Sequence, residues 1–351
     1  MSVNDVIITK NDLILVTGSS GFIGSRVVKV LLDYGFTNLR CFVRPTSNIT
    51  ALSKLKQEAK SGTIEIIKGN LQSPQDCYKA TKDVTIIYHL AASSEKSYSG
   101  CFMNTVIPTK QLLESCVHNT KLKRFVNVSS FAVYSNKKIR PGGLLDERCP
   151  IESDPLTRNS AYCFAKIKQE ELVYEYNKKY NIPFVILRPG AVFGPGNASI
   201  TARVGIDTFG IFFHLGGSNQ IPLTYVDNCA DAIVLAGIKK GIDGEVFNIV
   251  DDNLPTSKTF LKLYKNNVKR FASIYIPYTI FYFFCYLWEL YSRWSKGQLP
   301  PVFNRNRCAT IWKSNTYSND KMKKFLGWKV KIPMDEGLKR YFEYCKLANS
   351  K

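Results

Sequence analysis

Leu13-Ile14-Leu15-Val16-Thr17-Gly18-Ser19-Ser20-Gly21-Phe22-Ile23-Gly24 is the stretch that decides how this chain is read. A short apolar run reads as a buried strand, glycines spaced by three follow it at once, and an amphipathic stretch opens with them. In that setting Gly18 permits a tight turn, Gly21 lets backbone approach a pyrophosphate, and Gly24 lets the helix lie against the strand. The helix amino terminus attracts the anion through its unsatisfied N–H groups and its dipole. The stretch therefore predicts a dinucleotide-binding βα turn in which Gly18, Ser20, Gly21, Phe22, Ile23 and Gly24 line the cofactor.

Outward from this turn, apolar runs alternate with amphipathic stretches, which is the pattern of β-α-β units building a parallel sheet. Strands are expected at Leu13–Thr17, Leu39–Val43, Ile64–Lys68, Thr85–Leu90, Arg124–Ser129, Phe184–Arg188 and Val246–Ile249. Helices are expected near Ile23–Tyr34, Pro74–Ala80, Met103–Asn119 and Ser160–Tyr180. After Pro189 the regularity breaks at Gly190, Gly194, Pro195 and Gly196, and again at Gly216-Gly217. The fold class expected is α/β, a Rossmann-type doubly wound parallel sheet with a smaller carboxyl-terminal substrate domain. Residues 10–190, joined by about 222–250, would bind NAD(P), and residues 191–221 and 251–345 would bind substrate.

A second motif supplies chemistry. Tyr162-Cys-Phe-Ala-Lys166 places a phenol and an amine four residues apart, hence on one face of a helix. A free phenol titrates near pH ~10, and a neighbouring cation favours its phenolate, so the pair is a candidate acid/base. Ser130, at the end of the strand Asn127-Val-Ser-Ser130, is placed to hold a substrate oxygen. Ser130, Tyr162 and Lys166 are the catalytic candidates, and Tyr162 and Lys166 are also expected to touch the cofactor. Arg44, where the second strand ends, suits the 2′-phosphate of NADP rather than the free ribose of NAD, so NADP is favoured. Asn70 and Leu71 follow the third strand and are expected at the adenine. Ala91 and Ala92, in His89-Leu-Ala-Ala92, are small enough for the cofactor to cross them. His89 itself reads as a packed strand histidine.

Composition narrows the partners. The formal charge of +20 suits nucleic acid, an anionic membrane or anionic small molecules, but the Lys and Arg are scattered and form no basic block, so nucleic acid is not expected. Ten cysteines without a Cys-x-x-Cys pair, beside three histidines, predict reduced thiols and no metal site. The first residues show neither a basic start nor a long apolar run, so a cytoplasmic location is expected. One segment stands apart: 271–288 carries no charge, is dense in Tyr, Phe and Trp, and has Lys269 and Arg270 before it and Arg293 after. Three readings remain open for it: an interfacial helix on a membrane's cytoplasmic face, a buried or lipid-lining helix, and a span, which Pro277 opposes.

The ordered set Thr17-Gly-x-x-Gly-x-x-Gly24, His89-Leu-Ala-Ala92, Val128-Ser-Ser-x-x-Val-Tyr134, Tyr162-x-x-x-Lys166 and Leu187-Arg-Pro-Gly190 resembles the extended short-chain dehydrogenase/reductases over about residues 12–345. The resemblance implies that Ser130 binds the substrate oxygen, Tyr162 is the acid/base, Lys166 grips the ribose and Pro189 lies near the nicotinamide. Thr224-Tyr-Val-Asp-Asn228-Cys-Ala-Asp-Ala and Pro300-Pro-Val-Phe-Asn-Arg305 are similar to stretches of the 3β-hydroxysteroid dehydrogenase/isomerase branch. That branch implies an apolar, steroid- or isoprenoid-like alcohol or ketone. The sugar-nucleotide epimerases, dehydratases and reductases are the alternative. They typically carry Asp at the position of Asn228, Arg at that of Ile221 and Asn at that of Gly190. Val43-Arg44 departs from the acidic residue of many steroid enzymes. A homodimer formed through the helices near 103–119 and 160–180 is a further expectation of the resemblance.

Overall fold

In a computed structural model of the chain, residues 5–59, 63–208, 210–296, 298 and 303–349 are described. Each of the expected strands forms: β1 (Ile14–Thr17), β2 (Asn38–Val43), β3 (Thr63–Lys68), β4 (Ile86–His89), β5 (Arg124–Val128), and later β7 (Phe184–Pro189) and β12 (Val246–Ile249). They pair in parallel as one seven-stranded sheet in the order β12-β7-β5-β4-β1-β2-β3. The chain winds outward from β1 to β3 and then crosses back to β4. The strand order thus reverses between β1 and β4, where open α/β sheets form a crevice at their carboxyl ends.

Side chains on successive strand residues face opposite ways, and both faces are covered, so the strands read as continuous apolar runs. Ile14, Val16, Val126 and Val128 pack on one side beneath α1 (Phe22–Asp33) and α7 (Val226–Ile238). Leu15 and Phe125 pack on the other beneath α3 (Pro74–Thr81), α5 (Ile107–Cys116) and α6 (Ala161–Tyr180). α3 begins where Ser73 caps it and Pro74 presets its first turn, whereas α6 begins at a Ser160 cap and ends at Asn181 in the left-handed region. α2 (Thr50–Glu58) escapes the sequence pattern because it buries only Leu52.

The single helix expected over Met103–Asn119 is instead a π-turn at Phe102–Val106 followed by α5, with the short α4 (Tyr98–Cys101) leading into them. Pro108 explains the break, since its ring has no N–H and crowds the carbonyl four residues earlier, which a wider turn relieves.

Past Pro189 the chain makes small sheets. β8 (Ala191–Phe193) pairs with β11 (Leu223–Tyr225), β9 (Gly205–Thr208) and β13 (Ser273–Tyr275) flank β10 (Ile211–His214), and β6 (Gly143–Leu145) pairs with β14 (Asn315–Tyr317). A second core joins Phe193, Ile221 and Tyr225 to Phe260 of α8 (Ser257–Asn267) and to Tyr341 and Phe342 of α12 (Met334–Asn349). α11 (Asp320–Leu326) stops at Gly327, and the Leu326 and Trp328 around it are buried in the main core, so the tail does pack back.

The uncharged segment becomes β13 and α9 (Tyr278–Trp294), with Pro277 as the residue that starts the helix rather than breaks it. One face of α9 packs Tyr278, Phe281, Tyr282 and Cys285 against Leu215 and against Cys308 and Trp312 of α10 (Arg305–Trp312). The other leaves Ile280, Phe283, Phe284, Leu287, Trp288 and Trp294 exposed, Trp294 at 78%. The helix is therefore neither buried nor a span: no helix among the described residues is long and apolar enough to cross a membrane.

Candidate active site

Because the strands of the large sheet run parallel, everything that follows a strand end collects at one edge. The glycine turn after β1, Arg44 after β2, Asn70 and Leu71 after β3, Ala91 and Ala92 after β4, Ser130 after β5, and Pro189 at the end of β7 all lie there. Gly18 sits at φ +65°, and a Cβ on it would stand 2.9 Å from the Ala91 nitrogen, so the turn passes directly against the end of β4. A Cβ on Gly24 would meet the Gly18 carbonyl oxygen at 2.1 Å, so α1 can lie this close only without a side chain there. Gly21 caps α1 without any side-chain acceptor for the first N–H groups. An uncapped amino terminus beside a side-chain-free turn fits the pyrophosphate of a dinucleotide.

Arg44 is exposed, and no carboxylate among the described residues pairs with it. Asn70 uses its Oδ1 to accept from Gln72 N at 3.0 Å, while its own N–H donates to Asp76 at 2.8 Å. Leu71 is 8% exposed, with its side chain in the core beneath this edge.

Ser130, Tyr162 and Lys166 converge across the crevice from the glycine turn. Ser130 stands at the end of β5, where its Oγ accepts from Ala132 N at 3.2 Å and shapes a short 3-10 turn, Phe131–Val133. Ser160 caps α6, so Tyr162 falls in the first turn and Lys166 one turn later. The Tyr162 phenol is raised above its ordinary value by burial, while a hydrogen bond with Ser130 draws it back. The expected pairing of Lys166 with the phenol takes a different form. The amine reaches the Val128 carbonyl at 2.7 Å and Gln169 Oε1 at 2.9 Å, and lies 6.0 Å from the centre of the Tyr162 ring. Burial lowers Lys166 to about 8, with the Glu170 carboxylate opposing. Two of the ammonium's three donors are thus used, and one is left for a ligand.

Two buried scaffolds hold these groups. Glu170, one turn beyond Lys166, takes a two-point bond from Arg188 of β7 at 2.9 and 2.6 Å, and both side chains are 4% exposed. Arg188 also donates to the Tyr134 oxygen at 3.0 Å, and Tyr134 donates to Asn248 of β12 at 2.7 Å. The second scaffold is Arg158, which donates to the carbonyls of Ala132 and Tyr134 and to Glu152. Residues far along the chain close over it: Asn306 donates to Glu152 at 3.2 Å, and Asn304 caps α10 and donates to the Arg158 carbonyl at 3.3 Å. Pro300, Pro301 and Val302 of the same motif lie outside the described residues.

Sequence reasoning missed Glu152, Arg158 and Gln169. Gln169 lies on α6 seven residues after Tyr162 and three after Lys166, a helical spacing that could have found it, whereas Glu152 and Arg158 lie in the irregular stretch before α6 and only the tertiary fold brings them to the site. Arg188 was open to detection as a charge inside an apolar strand, whereas Glu170 stands in the polar run Lys166-Ile-Lys-Gln-Glu-Glu171 and carries no such signal. His89 is fully buried, as expected of a packed histidine, and burial lowers it to about 3.

The model of the NAD dependent epimerase/dehydratase family matches residues 14–250. A mouse sterol-4-alpha-carboxylate 3-dehydrogenase, decarboxylating, is 28% identical over 95% of this chain and 91% of its own. A dTDP-D-glucose 4,6-dehydratase of Dictyostelium discoideum is 28% identical over 72% of this chain and 63% of its own. The fold is also that of a UDP-glucuronic acid 4-epimerase of Bacillus cereus solved with NAD, at 24% identity and a TM-score of 0.71 over 95% of this chain and 99% of that one. An oxidoreductase-type enzyme for a small molecule, the chain belongs to the NAD dependent epimerase/dehydratase family, the extended short-chain dehydrogenase/reductases, on their 3β-hydroxysteroid-dehydrogenase-like branch.

Proposed function

We propose that the chain interconverts a secondary alcohol and a ketone on an apolar, steroid- or isoprenoid-like molecule, using NADP(H) or NAD(H). The carrying observation is the Ser130–Tyr162 hydrogen bond with Lys166 one helical turn away, at the sheet edge that also carries the glycine turn. The bound nicotinamide would supply hydride transfer at its C4. In oxidation, Tyr162 as phenolate takes the hydroxyl proton while the carbinol carbon gives up its hydride, and in reduction the phenol returns the proton to the carbonyl oxygen. Ser130 holds that oxygen, and Lys166 offers its remaining N–H to the ribose. Gly18, Ser20, Gly21, Phe22, Ile23 and Gly24 take the pyrophosphate, Arg44 the 2′-phosphate, Asn70 and Leu71 the adenine, Ala91 and Ala92 the span between, and Pro189 the nicotinamide. Residues 10–190 with 222–250 form the nucleotide domain, and 191–221 with 251–345 the substrate domain.

Support for an apolar substrate comes from the exposed aromatic face of α9 and from two positions in the fold. Ile221, 1% exposed in the second core, offers no charge to a nucleotide. At Gly190 a Cβ would meet the Pro222 carbonyl oxygen at 2.1 Å, which leaves no room for an asparagine. The sterol-acting relatives point the same way. The α9 face, with its basic flanks, would rest on the cytoplasmic side of a membrane from which such a substrate is drawn. Pairing of two copies through α5 and α6 would complete a homodimer, which light scattering would show as twice the chain mass.

Sugar-nucleotide chemistry is the second reading, favoured by the +20 charge and by the dehydratase and epimerase relatives. Turnover with NAD(H) and NADP(H) of sterols and lipid alcohols against UDP- and dTDP-sugars separates the two. Activity on the sugars alone would overturn the apolar reading, and stabilisation by free UDP would accompany it. The Tyr162→Phe variant is expected to lose turnover while keeping its affinity for reduced cofactor. Unchanged turnover would remove the proposed chemistry.

A further inference from the structure

Behind the crevice, buried side chains from β1, β4, α5 and α6 form one unbroken hydrogen-bonded chain. Lys166 Nζ donates to Gln169 Oε1 at 2.9 Å, and Gln169 Nε2 donates to Thr109 Oγ1 at 2.9 Å. Thr109 Oγ1 lies 2.9 Å from His89 Nε2, and His89 Nδ1 lies 2.8 Å from Thr17 Oγ1 in the glycine turn. Thr17, His89, Thr109 and Gln169 are 0% exposed and Lys166 is 3% exposed.

The donors in this chain can be assigned. The Thr109 hydroxyl gives its proton to the Thr105 carbonyl at 2.7 Å, so its lone pairs accept from both Gln169 and His89. His89 is therefore the neutral tautomer with its proton on Nε2, and Nδ1 accepts from the Thr17 hydroxyl. The Thr17 oxygen in turn accepts from Ala91 N at 3.4 Å. Turning any one group strands another in a dry interior, so the Gln169 amide has one orientation: oxygen toward the lysine, nitrogen toward Thr109.

We propose that Gln169 is a positioning residue for Lys166: its amide, locked by Thr109 and His89, pins the amine against the Val128 carbonyl and directs its remaining N–H toward the crevice. The inference rests on the reading of Lys166 as the ribose-gripping group. The surroundings of Lys166 make Gln169 the sensitive position. On its own helix stand the Tyr162 ring, 6.0 Å away, and Glu170, which is tied to Arg188 of β7; β4 brings a neutral His89 near it; the Val128 carbonyl of β5 accepts from it, and Thr109 of α5 reaches it through Gln169. A neutral amide at 2.9 Å from the amine leaves the lysine depressed by burial to about 8.

The test reads the lysine directly. Protein labelled with carbon-13 lysine is titrated by NMR across neutral and alkaline pH, with Lys166→Met identifying the resonance, and reduced-cofactor affinity is followed by fluorescence over the same range. Gln169→Glu should raise the Lys166 inflection by about one unit or more, as an adjacent opposite charge does. Gln169→Met and Thr109→Val should both lower the inflection and weaken cofactor binding severalfold, while Thr109→Ser, which keeps the hydroxyl, should match the parent. If Gln169→Met fails to fold, Gln169→Glu and Thr109→Val decide the matter. An inflection unmoved by Gln169→Glu, or by Thr109→Val in folded protein, would overturn the proposal. If the parent binds neither NADH nor NADPH, the cofactor reading fails, yet the titrations still judge the role of Gln169.

Discussion

Arg188→Leu is the most demanding perturbation of the scaffold beneath the catalytic helix. The change removes both bonds to Glu170 and the one to Tyr134, and leaves a carboxylate 4% exposed with no cation hydrogen-bonded to it. Breaking a buried pair by deleting one partner costs about 3–5 kcal/mol, because the remaining charge keeps its desolvation penalty and loses its compensation. Removing both partners is far milder, since the pair's own attraction roughly offsets the cost of burying it. Arg188→Leu should therefore destabilise the fold by about 4 kcal/mol in urea, and Glu170→Leu/Arg188→Leu by clearly less than Arg188→Leu alone. The cycle is read as shifts in the urea midpoint at constant slope, followed by tryptophan fluorescence. Costs that simply add in the double variant, or a single-variant loss below about 1 kcal/mol, would refute the assignment of Glu170 and Arg188 as one interdependent unit.

Other outcomes follow from single groups. Arg44→Asp should lower NADPH affinity roughly tenfold to a hundredfold, the worth of charge-assisted bonds to phosphate, and leave NADH affinity nearly unchanged; equal losses for both cofactors would discard the 2′-phosphate role. Asp251 accepts from Thr224, Tyr225 N and Asn228, yet burial raises it to about 6. A carboxyl raised on folding contributes stability below its unfolded value that is lost as pH climbs through its folded one. Relative to Asp251→Asn, the parent should thus lose roughly 3 kcal/mol between about pH 4 and pH 6, and a pH-independent difference would contradict this. Replacing Phe283, Leu287 and Trp294 by serine should abolish sedimentation with anionic vesicles if the exposed face of α9 meets lipid, and an unchanged pellet would dismiss that contact.

The sheet was legible because buried parallel strands leave uninterrupted apolar runs, and these fall at β1 to β5, β7 and β12. The glycine turn was legible because Gly18 and Gly24 stand where a Cβ collides with backbone, which restricts residue choice locally. α2 was not, since a helix that buries only Leu52 carries no apolar stripe. Nor was the split at Phe102–Val106, where the Pro108 that causes it reads equally well as a residue of a helix's first turn. In the site, Ser130, Tyr162 and Lys166 were visible from motif and spacing. The direction taken by the Lys166 amine was not, because it depends on Val128 and on Gln169 as oriented by Thr109, a residue from another helix.

The Asn304 and Asn306 clasp has a consequence for biogenesis. During synthesis the seven-stranded sheet becomes complete once β12 has left the ribosome, and a nascent chain folds from its amino end. The Asn304 and Asn306 bonds that close over Arg158 and Glu152, and the β14 strand that pairs with β6, come from residues made much later. The reactive pocket is thus finished last, after its nucleotide platform already stands.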